Sequence, residues 1–190
     1  MATYVNLVNQ ALRRVNEVEL DIGGEGFSDA RNLQALAKDA INSSVREILQ
    51  HAQEWPFTLT TYAQPMTVGT GVYDFASDAS KVDWDTFYIK RLSSKSNTPE
   101  KLPVITYEDY LRYHRTGEDV GGTSAHSIPS TIYQTEDMKF GVTPLPDDAY
   151  EIEYRYWSYP SDMTIYSDPC IVPDRFNTVV VDGAVMYLMR

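Results

Sequence analysis

The chain has 190 residues, 43% hydrophobic and 12% aromatic with 14 Tyr, a formal net charge of −11 and one cysteine. That is enough chain for one large domain or two small ones with a real core. It is too acidic to grip nucleic-acid phosphates, which takes clustered Lys and Arg, although an acidic wall that DNA slides past stays open. A lone Cys170 excludes an intrachain disulfide and a thiolate metal cluster, and reads as a small half-buried apolar residue. The start MATYVNLVNQALRR lacks the basic-then-apolar pattern of a secretion signal. No apolar run approaches the roughly 20 residues of a membrane span, so the expectation is a soluble protein made in a reducing cytoplasm.

Residues 3 to 17 predict a first helix capped by Thr3, with Val5, Val8, Leu12 and Val15 on one face and Arg13 and Arg14 at its C-terminal end. A connector with Gly23, Gly24 and Gly26 follows. It reads as a turn, since no strand precedes it and no Gly-Lys-Ser/Thr follows as in a phosphate loop. Ser28 to Trp55 predicts one long helix. Ser28 is the cap, Asp29 sits at the positive end of the dipole, and Ile41, Val45, Ile48, Ala52 and Trp55 form the stripe. Uninterrupted up to Pro56, it would be roughly 40 Å long. The two helices make a hairpin.

After Trp55 the texture turns to β. Pro56–Tyr62, Val72–Phe75 and Trp84–Leu92 predict strands, with turns at Gly69-Thr70-Gly71 and a polar loop at Ser93–Pro99. Residues 106 to 116 predict a short helix capped by Thr106, with Tyr110, Leu111 and His114 on one face. Gly117–Pro129, with Asp119, Gly121, Gly122 and His126, predicts a mobile loop. Thr131–Gln134 and Lys139–Val142 flank a turn at Glu136-Asp137 and predict a hairpin. From Tyr150 to Tyr156 alternation is strict, with Tyr150, Ile152, Tyr154 and Tyr156 on one face and Glu151, Glu153 and Arg155 on the other. Pro173 opens a last helix whose face carries Phe176, Val179, Val180, Ala184, Tyr187 and Leu188. The fold class expected is α+β. Residues 1–55 and 170–190 would form a helical bundle from the N-terminal hairpin and C-terminal helix, and 56–169 an inserted β-rich, sandwich- or barrel-like domain. The helical pattern runs to Arg190 with no C-cap, which suggests a helix cut short or finished by a neighbouring subunit.

No catalytic pattern emerges. His51, His114 and His126 are too scattered for a zinc pair, and no Gly-x-Ser-x-Gly elbow occurs. Asp74, Asp78, Asp83 and Asp85 lack calcium-loop spacing. Asp147-Asp148 reads as turn residues. Lys90, Arg91, Lys95 and Lys101 form the one basic patch, which reads as an exposed loop or a contact for DNA or an acidic partner.

The order of Trp-Pro-Phe-Thr (55 to 58), Pro129–Tyr133, Phe140-Gly141-Val142-Thr143-Pro144-Leu145-Pro146, Tyr150–Tyr156, Pro160, Asp168, Val172-Pro173 and the helical Phe176–Leu188 resembles the head-to-tail adaptor proteins of tailed bacteriophages. That group includes the tail tubular protein A of short-tailed phages. The resemblance implies a ring, generally dodecameric, docked under the portal, with β-domains meeting the tail nozzle or fibres. It implies a virion neck protein assembled in the host cytoplasm, around double-stranded DNA that passes without specific contact. It implies no enzyme activity, cofactor or metal. Members usually continue past the point matching Arg190. Partner contacts are then expected at Gly117, Asp119, Gly121, Gly122 and His126 of the loop, at Lys90 and Arg91, and at Tyr187. A carbohydrate- or receptor-binding virion module, stacking sugars on Trp84 or Trp157, is the alternative, and a small hydrolase with a shifted carboxylate is a third.

Overall fold

The apolar stripe near the N-terminus folds as helix α1 (Tyr4–Arg14), burying Tyr4, Val5, Leu7, Val8, Ala11 and Leu12. The computed structural model describes residues 1–21, 25–52, 54–92, 98–136 and 138–189. Gly23, Gly24, Lys95, Asp137 and Arg190, named above, lie outside them. Thr3 stands at the N-cap but its side chain makes no capping bond. The backbone N–H groups of Tyr4 and Val5 donate instead to the carbonyls of Asp168 (2.8 Å) and Tyr166 (3.1 Å). The Asp168 carboxylate accepts from the N–H of Thr164 (2.7 Å) and Ile165 (2.8 Å), which holds it below the usual carboxylate range. A distant turn therefore satisfies the first-turn donors that a local hydroxyl was expected to take.

The single helix expected from Ser28 to Trp55 is two: α2 (Glu25–Ser28) and α3 (Leu33–His51). Ser28 closes α2 rather than capping α3, and Asn32 takes φ 51°, a left-handed conformation that breaks the rod and that Asn tolerates better than most residues. At its other end Ala52 is extended. Trp55 folds back so that its indole N–H donates to the Ile48 carbonyl (3.0 Å) while its ring stacks on Phe57 (5.4 Å). The 19 residues of α3 span about 28 Å.

Helix α6 (Asn177–Leu188) follows a 3-10 turn at Asp174–Phe176 and buries Val180, Val181 and Ala184. Helices α1, α3 and α6 contact one another in pairs and share one core with Leu20, Phe27, Cys170 and Val172. Cys170 is buried, which pushes its thiol up. The approach of α3 to α6 is close enough that a Cβ on Gly183 would lie within 2.4 Å of Ser44 Oγ. Asn42 fixes the strap beyond Tyr159. It exchanges two bonds with the backbone of Met163 (3.0 and 3.2 Å) and donates to Tyr4 Oη (3.1 Å). These residues form one compact unit, Met1–Thr58 with Tyr159–Arg190.

The second unit is Leu59–Ser158. One sheet has the order β1-β8-β3-β4, from β1 (Leu59–Pro65), β3 (Ala79–Arg91), β4 (Glu100–Lys101) and β8 (Tyr150–Ser158), all antiparallel. The other has the order β2-β7-β6-β5, from β2 (Val72–Asp74), β5 (Val104–Ile105), β6 (Thr131–Gln134) and β7 (Lys139–Thr143), with β5 parallel to β6. The fold is thus α+β, with six helices and two sheets among the described residues. Alternation in β8 is as expected: Tyr150, Ile152, Tyr154 and Tyr156 are buried. Both sheets contribute to one aromatic core, where Phe87 stacks on Tyr154 (4.9 Å) and meets Phe140 edge-on (5.4 Å). The phenols keep partners: Tyr154 Oη accepts from the Ala76 N–H (2.9 Å), and Tyr156 Oη donates to Asp78 (2.9 Å). Strand β3 begins earlier than its pattern suggested, because a register shift between Asp83 and Tyr88 interrupts the alternation.

The segment expected as a mobile loop is ordered. Helix α4 (Tyr107–Tyr113) leads through His114 into α5 (Arg115–Gly121) and a 3-10 turn at Gly122–Ala125. Thr106 caps α4 as expected, accepting from the Asp109 N–H (3.1 Å). Beyond the turn, Ser127 and Ser130 donate backbone bonds to Leu145 (2.9 Å) and Thr143 (3.0 Å).

Candidate partner-binding surface

The second sheet turns one face to the aromatic core and the other to α4 and α5. On that other face Gly141 of β7 pairs with Tyr133 of β6. With no side chain at Gly141, the Tyr133 ring lies down over it, so that an added Cβ would stand 2.1 Å from Cζ. Tyr110 of α4 stacks on Tyr133 at 4.0 Å and 14°, and Tyr107 reaches both rings at 6.0 Å. Burial pushes the phenols of Tyr133 and Tyr110 up. Glu118 of α5 closes the arrangement: Thr143 Oγ1 donates to its Oε1 (2.6 Å) and Tyr110 Oη to its Oε2 (3.1 Å).

The part of this face left uncovered is an open groove of about 980 Å³. Trp84, Tyr107 and Val104 supply apolar walls, and Arg115, Gln134 and Glu136 a polar rim. Tyr107 is 48% exposed, so one ring face is offered to solvent. Trp84 is half-buried and braced from behind by Phe87 (5.4 Å, stacked) and Phe75 (5.6 Å, edge-on). Flat aromatic faces beside planar hydrogen-bonding groups suit a sugar ring or an extended peptide.

The residues singled out from the sequence are distributed over four places. Gly117, Asp119 and Gly121 lie on α5 and Gly122 follows it at φ +52°. A Cβ on Gly117 would meet open space, and Asp119 pairs with Arg115 (3.7 Å) of the groove rim. His126 packs its ring beside Gly69, 3.2 Å from where a Cβ would be. Lys90 and Arg91 are neighbours on β3 and so face opposite sides of the first sheet. Lys90 pairs with Glu151 and, at 3.8 Å, with Glu153. Arg91 donates to Tyr150 Oη (3.0 Å) with its guanidinium over that ring. Lys101 is exposed in β4 opposite Tyr88. Tyr187 is on the helical unit, donating to Glu47 (2.9 Å). Sequence reasoning missed Tyr107 and Tyr133. The Tyr107/Tyr110 spacing of three along a helix was the available signal.

Among the described residues no three His, Cys, Asp or Glu side chains converge as a metal site, and no helix is long and apolar enough to cross a membrane. On the helical unit backbone N–H donors hold the Asp168 and Asp174 carboxyls below the usual carboxylate range, the opposite of a poised general acid. In the same unit the outer side of α6 exposes Val179 and Met186 around Asp182, which pairs with Arg14, and Met189 just beyond the helix is exposed as well.

The family model described as SU10 adaptor protein matches residues 2–190. A comparison with curated proteins gave no match.

Proposed function

The chain belongs to the SU10 adaptor protein family, and on that premise we propose that it forms a ring between the portal and the tail and lines the channel through which DNA passes. The family makes it a phage structural adaptor and a virion component, with portal and tail proteins as its partners, rather than an enzyme. The proposal adds the ring, about a dozen subunits in closed rotational symmetry, of the tail tubular protein A kind. Residues 1–55 and 170–190 would build its body and 56–169 would reach the nozzle or fibres. The match over residues 2–190 carries the reading. Two features support it. Large apolar side chains left exposed on a helix mark a surface that a partner can cover, and Val179 and Met186 of α6, with Met189 just beyond it, are exposed in the single chain. A charge of −11 per subunit, multiplied around a ring, repels phosphates and lets DNA pass without sticking.

Mass photometry and negative-stain imaging of the chain, alone and with the portal of its phage, test this. Rings that stack on the portal are expected, and monomers that ignore the portal overturn it. The groove at Trp84 and Tyr107 favours a second reading, a carbohydrate-binding virion module. A glycan screen positive for the chain and lost in Tyr107→Ala supports that reading, and a blank screen ends it.

A further inference from the structure

Sheet edges are templates for another strand, and folded proteins guard them with short strands, charges, prolines or bulges. Three of the four edges here are guarded. Strand β4 has two residues, both charged, β2 has three and ends in Asp74, and β5 has two and runs into α4. The fourth edge is β1. Its seven residues, LTTYAQP, pair in unbroken register with Trp157 through Glu151 of β8. It carries no charged side chain and no bulge, and its one proline is the last residue. In an antiparallel ladder every second residue turns its N–H and C=O away from the partner strand. Among the described residues nothing pairs with that outer side of β1, and Thr60, Thr61, Tyr62 and Ala63 are exposed.

We propose that the outer edge of β1 is the docking site for an extended segment of a partner protein, added to the first sheet as a fifth strand. The occupant follows from the edge itself. Backbone donors and acceptors alternating along seven residues are matched by an extended polypeptide, and not by a helix, a sugar or a duplex. Its side chains follow from the neighbours. The β1 side chains are uncharged, which suits β-branched and aromatic residues opposite them. Ala63 lies beside half-exposed Glu153 of β8 in the register, a carboxylate that Lys90, held by Glu151, reaches only at 3.8 Å. The small Ala63 leaves a path for a Lys or Arg of the added strand to reach that carboxylate, two strand spacings or about 10 Å away. A second copy is the poorer fit, since its β1 has no base to offer. The adaptor reading enters only in the choice of probe.

The test is an array of overlapping 12-residue peptides covering the portal and tail proteins of the same phage, probed with the full chain. The best binder is then scanned by single backbone N-methylation. Expected is an extended-type segment of β-branched and aromatic residues whose one charge is a Lys or Arg. Its N-methyl scan should show losses at every second position, and its affinity should fall at least tenfold for Ala63→Lys. Alternate amides of residues 60–64 should also slow in hydrogen exchange on binding. A second variant, Thr61→Lys, should repeat the loss with the far-ultraviolet spectrum unchanged. No bound peptide, an N-methyl scan without period two, unchanged affinity in both variants, or peptide-free dimers through β1 would each overturn the proposal. Rings on the portal with no peptide bound sink the edge and spare the adaptor reading, whereas strand addition by a chain that ignores the portal does the reverse.

Discussion

Gly141→Ala isolates the tyrosine stack on the outer face of the second sheet. The new Cβ would stand 2.1, 2.4 and 2.6 Å from Cζ, Cε2 and Oη of Tyr133, so the ring must lift. It cannot lift freely, because Tyr110 lies on its other face at 4.0 Å and is itself tied to Glu118 (3.1 Å). Overpacking of this kind costs about 1–3 kcal/mol, and a lost ring stack a further ~0.5–1.5 kcal/mol. Against that, replacing Gly by Ala lowers the entropy of the unfolded chain, worth about 0.4–1 kcal/mol. The balance is a loss of roughly 2 kcal/mol, which for a unit of about 100 residues lowers Tm by roughly 10 °C. Scanning calorimetry of the full chain reads it as a shift in the transition belonging to the β unit. The same substitution in a Tyr133→Ala background removes the obstacle and should cost nothing or stabilise slightly. A Gly141→Ala chain as stable as the parent, or an equal loss in both backgrounds, refutes the reasoning.

Three other outcomes follow from the geometry. Asn42→Ala leaves the Met163 N–H and C=O without partners inside the helical unit, and urea denaturation should register a loss of about 2–3 kcal/mol. Gly183→Ala sets a methyl 2.4 Å from Ser44 Oγ. It should destabilise the chain as purified, yet become neutral in a Ser44→Ala background, where the ~1 kcal/mol helix preference of Ala over Gly offsets what crowding remains. Alkaline conditions act through the core phenols. Tyr154 and Tyr156 are pushed up to about 12 by burial, with the Tyr156 bond to Asp78 adding to its shift. The folded state therefore holds protons that the unfolded chain sheds near pH 10. Their contribution is full below pH 10 and is lost as pH rises towards 12. The urea midpoint should fall across that window, with tyrosinate absorbance rising in step with unfolding, and a flat midpoint from pH 9 to 12 would contradict it.

Much of the fold was legible where one physical rule dominated. Strict alternation from Tyr150 to Tyr156 and the hairpin of β6 and β7 follow from a two-residue period with one face buried. The stripe of α1 follows from helical spacing, whereas on α6 the helix formed but its expected face did not hold: Val180 and Ala184 are buried, and Phe176, Val179 and Tyr187 are exposed. Where two rules competed the sequence misled. Ser28 carries a good cap signal, but the left-handed Asn32 resets the helix four residues later. The glycines of 117–122 read as a loop because the contact that fixes α5, Thr143 to Glu118, spans 25 residues. The candidate surface was hidden for the same reason. The stack of Tyr110 on Tyr133 over Gly141 joins a helix to two strands, and no local pattern announces it. Lys90 and Arg91, read as neighbours in one basic patch, face apart as adjacent strand residues, and Glu151 and Tyr150 of β8 receive them.

The β unit enters and leaves through paired strands. Leu59 at its start lies opposite Trp157 near its end, and the Cα atoms of such a pair are about 5 Å apart. The insert is therefore a cassette. A few glycines joining Thr58 to Tyr159 would close the helical frame without it, and a short linker could close the cassette on itself. The helical core takes in Cys170 and Val172 from the returning chain, and its buried residues, among those described, come from 1–58 and 159–190. A phage genome that recombined across these two junctions would exchange the cassette and keep both stretches of the helical frame, residues 1–58 and 159–190.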